Sequence, residues 1–281
     1  MKQFKVGLQL YSIRDELAKD FEGALRAVKA MGYDYVEPAG QYGGRNGKEL
    51  KALLDEIGLK APSIHEGGVL PWYQENGDSA FDFFADLGVT YIVIPAYSAD
   101  KLAGSPDWPE TKALFCRVAE AAKKHGMKIL YHNHDFEFRK LPSGAYLYDE
   151  MFADLKGYVD PQPDTCWMNY GGVDPASYIR KYGDRISVVH LKDLACPKLP
   201  DGPLYPIIRQ MKEEGRPVSH DDTGIYLTPL GQGRNNFHEI LAACEEVGAD
   251  YVVVEQDNFT GMTPMEGVAA SRSYLKETFG I

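Results

Sequence analysis

The chain has 281 residues, 44% of them hydrophobic and 25% charged, which suffices for one large α/β domain with a buried core. A formal net charge of −11 at pH 7 disfavours nucleic acid and anionic lipid as partners. No apolar run reaches the roughly 18 residues that a membrane-spanning helix needs, and the four cysteines form no CxxC pair. We therefore expect a cytoplasmic protein with reduced thiols and no membrane or nucleic-acid partner.

Short runs rich in β-branched residues alternate along the chain with longer stretches of helical periodicity. The eight predicted strands begin at Val6, Tyr33, Lys60, Thr90, Lys128, Tyr158, Ile186 and Tyr251. Proline interrupts the runs from Lys60 and Tyr158, which gives these two the weakest strand signal. The clearest predicted helices cover residues 20–32, 48–58, 110–126 and 235–248, and each ends in a glycine suited to a left-handed C-cap.

Eight repeats of strand and helix predict parallel strands and right-handed crossovers. They favour a single (β/α)8 TIM barrel over residues 1–281; a doubly wound sheet is the alternative, weakened because no GxGxxG follows the first strand. Residues 197–228, rich in Pro, Gly and Asp, extend the loop after the seventh strand. In a barrel this loop lies on the active-site face, so we expect a lid or, equally, a surface excursion or homo-oligomer contact.

Polar side chains gather at the predicted strand ends, where barrel enzymes place their chemistry. They are Gln9, Tyr11, Glu37, His65, Glu66, Tyr97, His132, His134, Glu137, Asp164, Trp167, His190, Lys192, Glu255 and Asp257. Mixed carboxylate and imidazole ligands suit Mn²⁺, Mg²⁺, Co²⁺ or Zn²⁺. Such an ion polarises a sugar carbonyl while a nearby base moves the proton of the neighbouring carbon. Each residue also has a structural alternative: Asp164 as a turn cap, His190 as a core histidine, Trp167 as packing.

Several motifs in order along the chain resemble the xylose-isomerase-like superfamily, in particular its sugar phosphate isomerase/epimerase branch. They are YHNHDFEFRK from Tyr131, DTCWMNYGGVDP from Asp164, VVHLKD from Val188, PLGQGRNNF from Pro229 and VVVEQD from Val252. The resemblance implies a (β/α)8 barrel with one metal ion held by Glu, Asp, His and Glu. Asp164, His190 and Glu255 match the last three of these ligands, and the resemblance implies that Glu255 also takes part in proton transfer.

The position of the first ligand departs from the epimerase pattern, because Tyr131-His132 stands where those relatives carry glutamate. Glu137, six residues after Tyr131, is the favoured replacement, and His132 or His134 is the alternative. Trp167 also stands where ketose 3-epimerases carry a substrate-binding histidine. The YHNH run is similar to inosose dehydratases and 3-keto-glycoside lyases, in which imidazoles beside the metal would abstract a proton next to a ketone.

Three functional hypotheses follow. The first is a divalent-metal-dependent sugar isomerase/epimerase, with Mn²⁺ the first choice of ion, that moves a proton through an enediolate on a small ketose-like substrate. The second is a metal-dependent lyase or dehydratase on a keto-inositol or 3-keto-glycoside, and the third a non-catalytic sugar-binding or partner-subunit barrel. The candidate residues are Glu137, Asp164, His190 and Glu255 for the metal; Glu255, Glu137, His132 and His134 for catalysis; and Gln9, Tyr11, Glu37, His65, Trp167 and Lys192 for substrate.

Overall fold

Parallel strands form the centre of the protein, whose computed structural model describes residues 3–195, 204–216 and 226–281. All eight predicted strands are present, including the two weak ones, which form β3 and β6. The strands are β1 (Lys5–Gln9), β2 (Tyr35–Glu37), β3 (Ser63–His65), β4 (Tyr91–Ile94), β5 (Lys128–His132), β6 (Val159–Gln162), β7 (Val188–Leu191), β8 (Asp193–Ala195), β9 (Tyr226–Thr228) and β10 (Tyr251–Val254).

Two four-stranded parallel sheets, in the orders β2-β1-β10-β7 and β3-β4-β5-β6, make up the ring of strands. Single bridges join them at both seams: Tyr35 to Lys60 and Ala39 to His65 at one, Asp164 to His190 at the other. The strands therefore follow one another around the ring in chain order, with β8 and β9 outside it. The predicted (β/α)8 barrel class is confirmed.

The two seams coincide with the proline-interrupted strands. Pro62 precedes β3, and Pro161 and Pro163 lie in and just after β6. Because proline has no N–H to give to a neighbouring strand, pairing at these edges is reduced to isolated contacts. At the second seam, for example, the backbone N–H of His190 donates to the carbonyl oxygen of Pro163 over 2.8 Å.

Helices follow the strands, and local sequence signals mark their ends. An Asn46 capping box with Glu49 starts α3, and Thr263 starts α12 in the same way through Glu266. Gly58 ends α3 at φ 83°, a left-handed conformation that favours glycine. The helices are α1 (Arg14–Lys19), α2 (Phe21–Ala30), α3 (Gly47–Ile57), α4 (Val69–Asn76), α5 (Asp82–Leu87), α6 (Trp108–Lys124), α7 (Leu147–Asp154), α8 (Thr165–Tyr170), α9 (Pro175–Tyr182), α10 (Tyr205–Glu213), α11 (Phe237–Val247) and α12 (Pro264–Phe279).

Alternation along the strands divides the core into two apolar layers. The larger lies between strands and helices and includes Ile92, Ile129 and Val252. The smaller consists of the buried side chains of the opposite strand face: Val93, Leu130, Val188 and Val253. Since successive side chains of a strand point to opposite faces, this second layer lies inside the barrel and carries the functional residues above it.

The segment after β7 contains more regular structure than its sequence predicted. The nine-residue helix α10 lies within it, and β8 pairs with β9 in antiparallel orientation. Residues 197–203 and 217–225 of the predicted loop lie outside the described residues, as does Cys196; Cys116, Cys166 and Cys244 form no disulfide. Among the described residues, no helix is both long and apolar enough to cross a membrane.

The Asp193 side chain holds the turn that follows this segment and precedes α11. Its carboxylate accepts hydrogen bonds from the backbone N–H groups of Leu194 and Asn235 on one oxygen and of Gly231 and Gly233 on the other, at 2.9–3.1 Å. The residue is fully buried. One side chain thus satisfies three backbone donors of the turn before α11 and one of β8.

We predict that Asp193→Ala lowers the free energy of unfolding by about 3 kcal/mol, because several buried N–H groups lose their acceptor. Denaturant unfolding of parent and variant measures this. Asp86→Ala is the matched control: Asp86 is 40% exposed and pairs with Lys48 at 3.7 Å, so its loss costs no more than about 1 kcal/mol. Equal losses in the two variants would show that the Asp193 contacts carry no special stability.

Candidate active site

The pleat of the strands places the candidate ligands. His132 comes two residues after Leu130, His190 two after Val188, and Glu255 two after Val253, so each lies one step above the apolar interior layer. Asp164 follows β6 and bridges to His190. The barrel therefore brings four side chains from four neighbouring strands together at its C-terminal end.

His132, Asp164, His190 and Glu255 form a group in which one donor atom of each lies within 4.8 Å of all the others. All four residues are buried, none more than 5% exposed. Two imidazoles and two carboxylates are a donor set that divalent transition metals accept. The arrangement could hold one such ion.

Two electrostatic features fit a cation at this group. Asp164 Oδ2 is buried and accepts no hydrogen bond from the described residues, although buried acceptors are nearly always paired. Burial raises the pKa of Asp164 to about 7 in spite of the Lys192 charge. Burial opposes protonation of His190, but Glu37 and Glu255 outweigh it and raise the pKa of His190 to about 10. The site thus attracts positive charge.

His65, His132 and His190 also lie within 4.8 Å of one another. The rings of His65 and His190 are parallel, however, with centroids 4.9 Å apart and an interplanar angle of 2°. Imidazole lone pairs lie in the ring plane, and two separate parallel planes do not meet at an ion. The ring of His132 is inclined by 66° to that of His190. The mixed group with the two carboxylates is therefore the better ligand set.

A buried polar layer supports the histidines from below. Glu37 Oε2 lies 2.5 Å from His190 Nε2, and the Gln9 amide donates to the same oxygen over 2.9 Å. Gln162 donates to Glu37 Oε1 and places its own oxygen 2.7 Å from His65 Nε2 and 3.1 Å from His132 Nδ1. A carboxylate on the far nitrogen of a ligating histidine fixes the ring and its tautomer, which is the relation of Glu37 to His190.

Lys192 supplies a second buried cation. Its ammonium nitrogen lies 2.8 Å from Asp257 Oδ2, 3.1 Å from Glu255 Oε2 and 3.5 Å from Asp164 Oδ2. Burial would lower the pKa of Lys192, but these three carboxylates raise it well above its ordinary value. The side chain is therefore a charged hydrogen-bond donor, and it stands 5.3 Å from the centre of the Trp167 ring.

These groups open into a cleft of about 560 Å³. Some of the residues predicted from sequence line the cleft, and others lie buried under the lining residues. Gln9 and Glu37 do not line the cleft but lie buried beneath His190. The predicted strand-end residues that line it are Tyr11, His65, Glu66, His132, His134, Trp167, Lys192, Glu255 and Asp257.

Glu137, the favoured first ligand in the sequence analysis, is not in the four-residue group. It lies on a short 3-10 turn, Phe136–Phe138, after β5. Its carboxylate accepts from the Tyr131 hydroxyl over 2.7 Å and from the His134 backbone N–H over 2.9 Å. The structure brings His132, the alternative, into the group instead, and gives Glu137 contacts that hold the turn carrying His134.

Sequence reasoning missed several residues around the site. Gln162 is the last residue of β6 and lies two residues before Asp164, a spacing from which side-chain alternation could have predicted it. Asn133 accepts from the backbone N–H of Asp164 over 3.0 Å, and Asp135 accepts from that of Tyr205, also over 3.0 Å. Tyr205 belongs to α10, and no sequence signal placed it in the cleft wall.

Comparison with known proteins identifies the family. The model of the xylose isomerase-like TIM barrel family matches residues 25–278, and the chain belongs to this family. The chain is 26% identical to an inosose dehydratase of Lacticaseibacillus casei over 95% of this chain and 93% of that protein. It is 25% identical to an inosose dehydratase of Clostridium beijerinckii over 92% and 90%.

Solved structures give the same architecture. A sugar phosphate isomerase/epimerase from Parabacteroides distasonis matches with a TM-score of 0.75 and 25% sequence identity. The alignment covers 98% of this chain and 94% of that one. The family resemblance found in the sequence is therefore confirmed.

The ligand set can be tested by separating His132 from Glu137. We predict that His132→Ala weakens Mn²⁺ binding about tenfold or more, because it removes a donor atom, whereas Glu137→Gln leaves affinity and stoichiometry unchanged. Elemental analysis and calorimetric titration of the purified variants measure both. The double variant Asp164→Ala/His190→Ala serves as the metal-free reference. Metal loss in Glu137→Gln, with retention in His132→Ala, would instead assign Glu137 as the ligand.

Glu137 also predicts a pH dependence. Burial raises its pKa from the ordinary 4.5 to about 8. Between these values the folded state binds the proton more tightly than the unfolded state, so the contribution of Glu137 to stability falls as pH rises. Glu137→Gln removes this titration. The free energy of unfolding of the variant should therefore rise relative to that of the metal-free parent between about pH 5 and 8, by at most about 1.4 kcal/mol per pH unit.

Denaturant unfolding at several pH values measures this difference, with the exposed Glu110→Gln as control. A glutamine can accept from the His134 N–H and donate to the Tyr131 oxygen, so the variant keeps both contacts. Curves for parent and Glu137→Gln that run parallel over the whole range would contradict the raised pKa.

Proposed function

We propose that the protein is a divalent-metal-dependent dehydratase that removes water from a cyclic keto-polyol of the keto-inositol class. The observation that carries this proposal is a pair of imidazoles at the mouth of the barrel. His132 ends β5 and belongs to the metal-competent group, and His134, two residues later, lies in the cleft wall. The curated relatives named above are inosose dehydratases and match over most of this chain. They support elimination, the second hypothesis of the sequence analysis, over isomerisation.

His132, Asp164, His190 and Glu255 would hold the ion, with Mn²⁺ the first candidate and Mg²⁺, Co²⁺ and Zn²⁺ the others. A bound divalent ion would polarise the ketone oxygen of the substrate and stabilise the charge that develops there. The support of Glu37 beneath His190 keeps one ring nitrogen directed at the group. Asp164 Oδ2, which accepts no hydrogen bond from the described residues, would be a further donor atom for the ion.

The protein's own residues would then move one proton in two steps. His134 lines the cleft beside His132, with ring centroids 5.2 Å apart, and in its neutral form it accepts the proton of the carbon next to the ketone. Lys192, kept charged by Asp257 and Glu255, donates a hydrogen bond to the departing hydroxyl group, to which the protonated His134 passes the abstracted proton. One C–H and one C–O bond break, a C=C bond forms beside the ketone, and water leaves.

An isomerase or epimerase remains the second candidate, supported by the structural match to the Parabacteroides distasonis protein. It would use Glu255 as the base in place of an imidazole. Product mass separates the two reactions, because an isomerase conserves the mass of its substrate and a dehydratase releases one water.

We predict that the Mn²⁺-loaded protein converts a keto-inositol to a product lighter by one water, and that ketoses such as fructose are recovered without isomerisation or epimerisation when the sugars are separated by chromatography. Mass spectrometry and the ultraviolet absorbance of the new enone measure this. His134→Gln should lower the elimination rate by about 100-fold or more while retaining the metal, since it removes a proton acceptor and no ligand. Isomerised ketoses together with an unaltered keto-inositol would overturn the proposal in favour of the second candidate.

A further inference from the structure

The orientation of the His134 ring depends on the groups that pack against it. The backbone N–H of His134 donates to Glu137 Oε2 over 2.9 Å, which fixes the position of the residue but not the plane of its ring. The torsion angle χ2, about the bond from Cβ to the imidazole, has a broad energy profile in histidine. A base on this side chain therefore needs neighbours that set the plane of its ring.

Aromatic rings of Tyr205, Trp167 and Phe136 lie around this imidazole. Tyr205 is the nearest of the three, with ring centroids 3.5 Å apart and an interplanar angle of 31°. The Trp167 ring lies at 5.6 Å and 43°, and the Phe136 ring at 6.3 Å and 10°. His134 is buried among them. Because Tyr205 covers the imidazole at contact distance, we expect it to restrict rotation of the ring more than the other two do.

Tyr205 is itself held by the residue that follows His134 in sequence. Asp135, only 4% exposed, accepts hydrogen bonds from the backbone N–H groups of Leu204 and Tyr205, the second over 3.0 Å. The first N–H groups of a helix have no partner within it, so these two bonds tie the start of α10 to the loop after β5. The tyrosine ring and the imidazole that it covers are thus joined through Asp135.

The elimination requires two alignments of the His134 ring. A ring nitrogen must first face the hydrogen of the carbon beside the ketone, and the protonated ring must then reach the departing hydroxyl group. Proton transfer needs heavy atoms about 2.6–3.2 Å apart, and a misplacement of about 1 Å can lower a rate by about 100-fold. A ring that turned freely about χ2 would satisfy both alignments for only part of the time.

We propose that Tyr205 is a positioning residue: its ring holds the imidazole of His134 in the orientation that takes the substrate proton, and Asp135 holds Tyr205 in turn. This inference rests on the proposed function, from which it takes His134 as the base. It gives the segment after β7 a part in the reaction, through one side chain of α10.

The first test compares kcat and KM for loss of water from a keto-inositol by Mn²⁺-loaded full-length variants. Tyr205→Ala should lower kcat by about 10- to 100-fold and change KM less, because the base is misaligned. Tyr205→Phe keeps the ring and should keep kcat close to that of the parent. Asp135→Asn should also lower kcat, because the amide nitrogen cannot accept the second backbone N–H. Ile207→Ala, which truncates a 49% exposed side chain of the same helix, is the control and should leave kcat unchanged.

A double variant separates positioning from an independent role. If Tyr205 acts only through the imidazole, adding Tyr205→Ala to His134→Gln causes no further loss, whereas independent effects multiply. Multiplied losses overturn the inference, as does an unchanged kcat in Tyr205→Ala. Loss of Mn²⁺ from Tyr205→Ala, measured by elemental analysis, overturns it as well. Tyr205→Leu takes the place of Tyr205→Ala should the smaller side chain prevent folding.

The second test needs no substrate. In the Mg²⁺-loaded protein with ¹³C-labelled histidine, NMR should show a ring-current shift of the His134 signal that Tyr205→Phe keeps and Tyr205→Ala removes. His134→Gln identifies the signal. An identical His134 signal in the parent and in Tyr205→Ala overturns the inference whatever the reaction. Absence of water loss in the parent, together with a signal that moves in Tyr205→Ala, overturns the dehydratase but not the positioning of the ring.

Discussion

The structure of the site depends on how the barrel compensates buried negative charge. Glu37, Asp164 and Glu255 are almost entirely removed from water, and a buried carboxylate is costly unless a cation or several donors reach it. His190 stands between two of them, 2.5 Å from Glu37 and 2.8 Å from Glu255. Lys192 donates a hydrogen bond to Glu255 as well. One oxygen of Asp164, Oδ2, accepts no hydrogen bond from the described residues. The buried group could accommodate a metal ion as a further compensating charge.

Barrel geometry explains why these groups meet although they lie far apart in sequence. Parallel strands end at the same face, and alternation carries every second side chain from the apolar interior to the mouth. The seam between β6 and β7 contributes as well. Because Pro161 and Pro163 interrupt regular pairing, Asp164 reaches His190 through one bridge, and its side chain is free to cap α8 through the Trp167 N–H over 2.9 Å.

The sequence predicts what strand periodicity controls, and it leaves open what the conformation of a loop determines. Eight strands, their order and Asp164, His190 and Glu255 at strand ends all follow from alternation. Alternation does not determine which side chain near the end of β5 turns inward, because His132 is the last residue of the strand and Glu137 lies on a turn. The direction of that turn depends on the Tyr131 hydroxyl and the His134 N–H, contacts that only the folded chain creates. Tyr205 was missed for the same reason.

The strand ends and the segment after β7 contribute different kinds of groups to the cleft. Strand ends carry the metal-competent group and the buried cations, and the barrel constrains their positions closely. Tyr205 and Ile208 of α10 and Leu227 of β9 add aromatic and aliphatic groups to the cleft from the segment that the family motifs do not cover. Loops of this kind vary without disturbing a barrel. Asp135 joins the two parts, because it lies one residue after His134 and caps the helix that carries Tyr205. A change of substrate could thus arise through α10 while the chemistry at the strand ends stays the same.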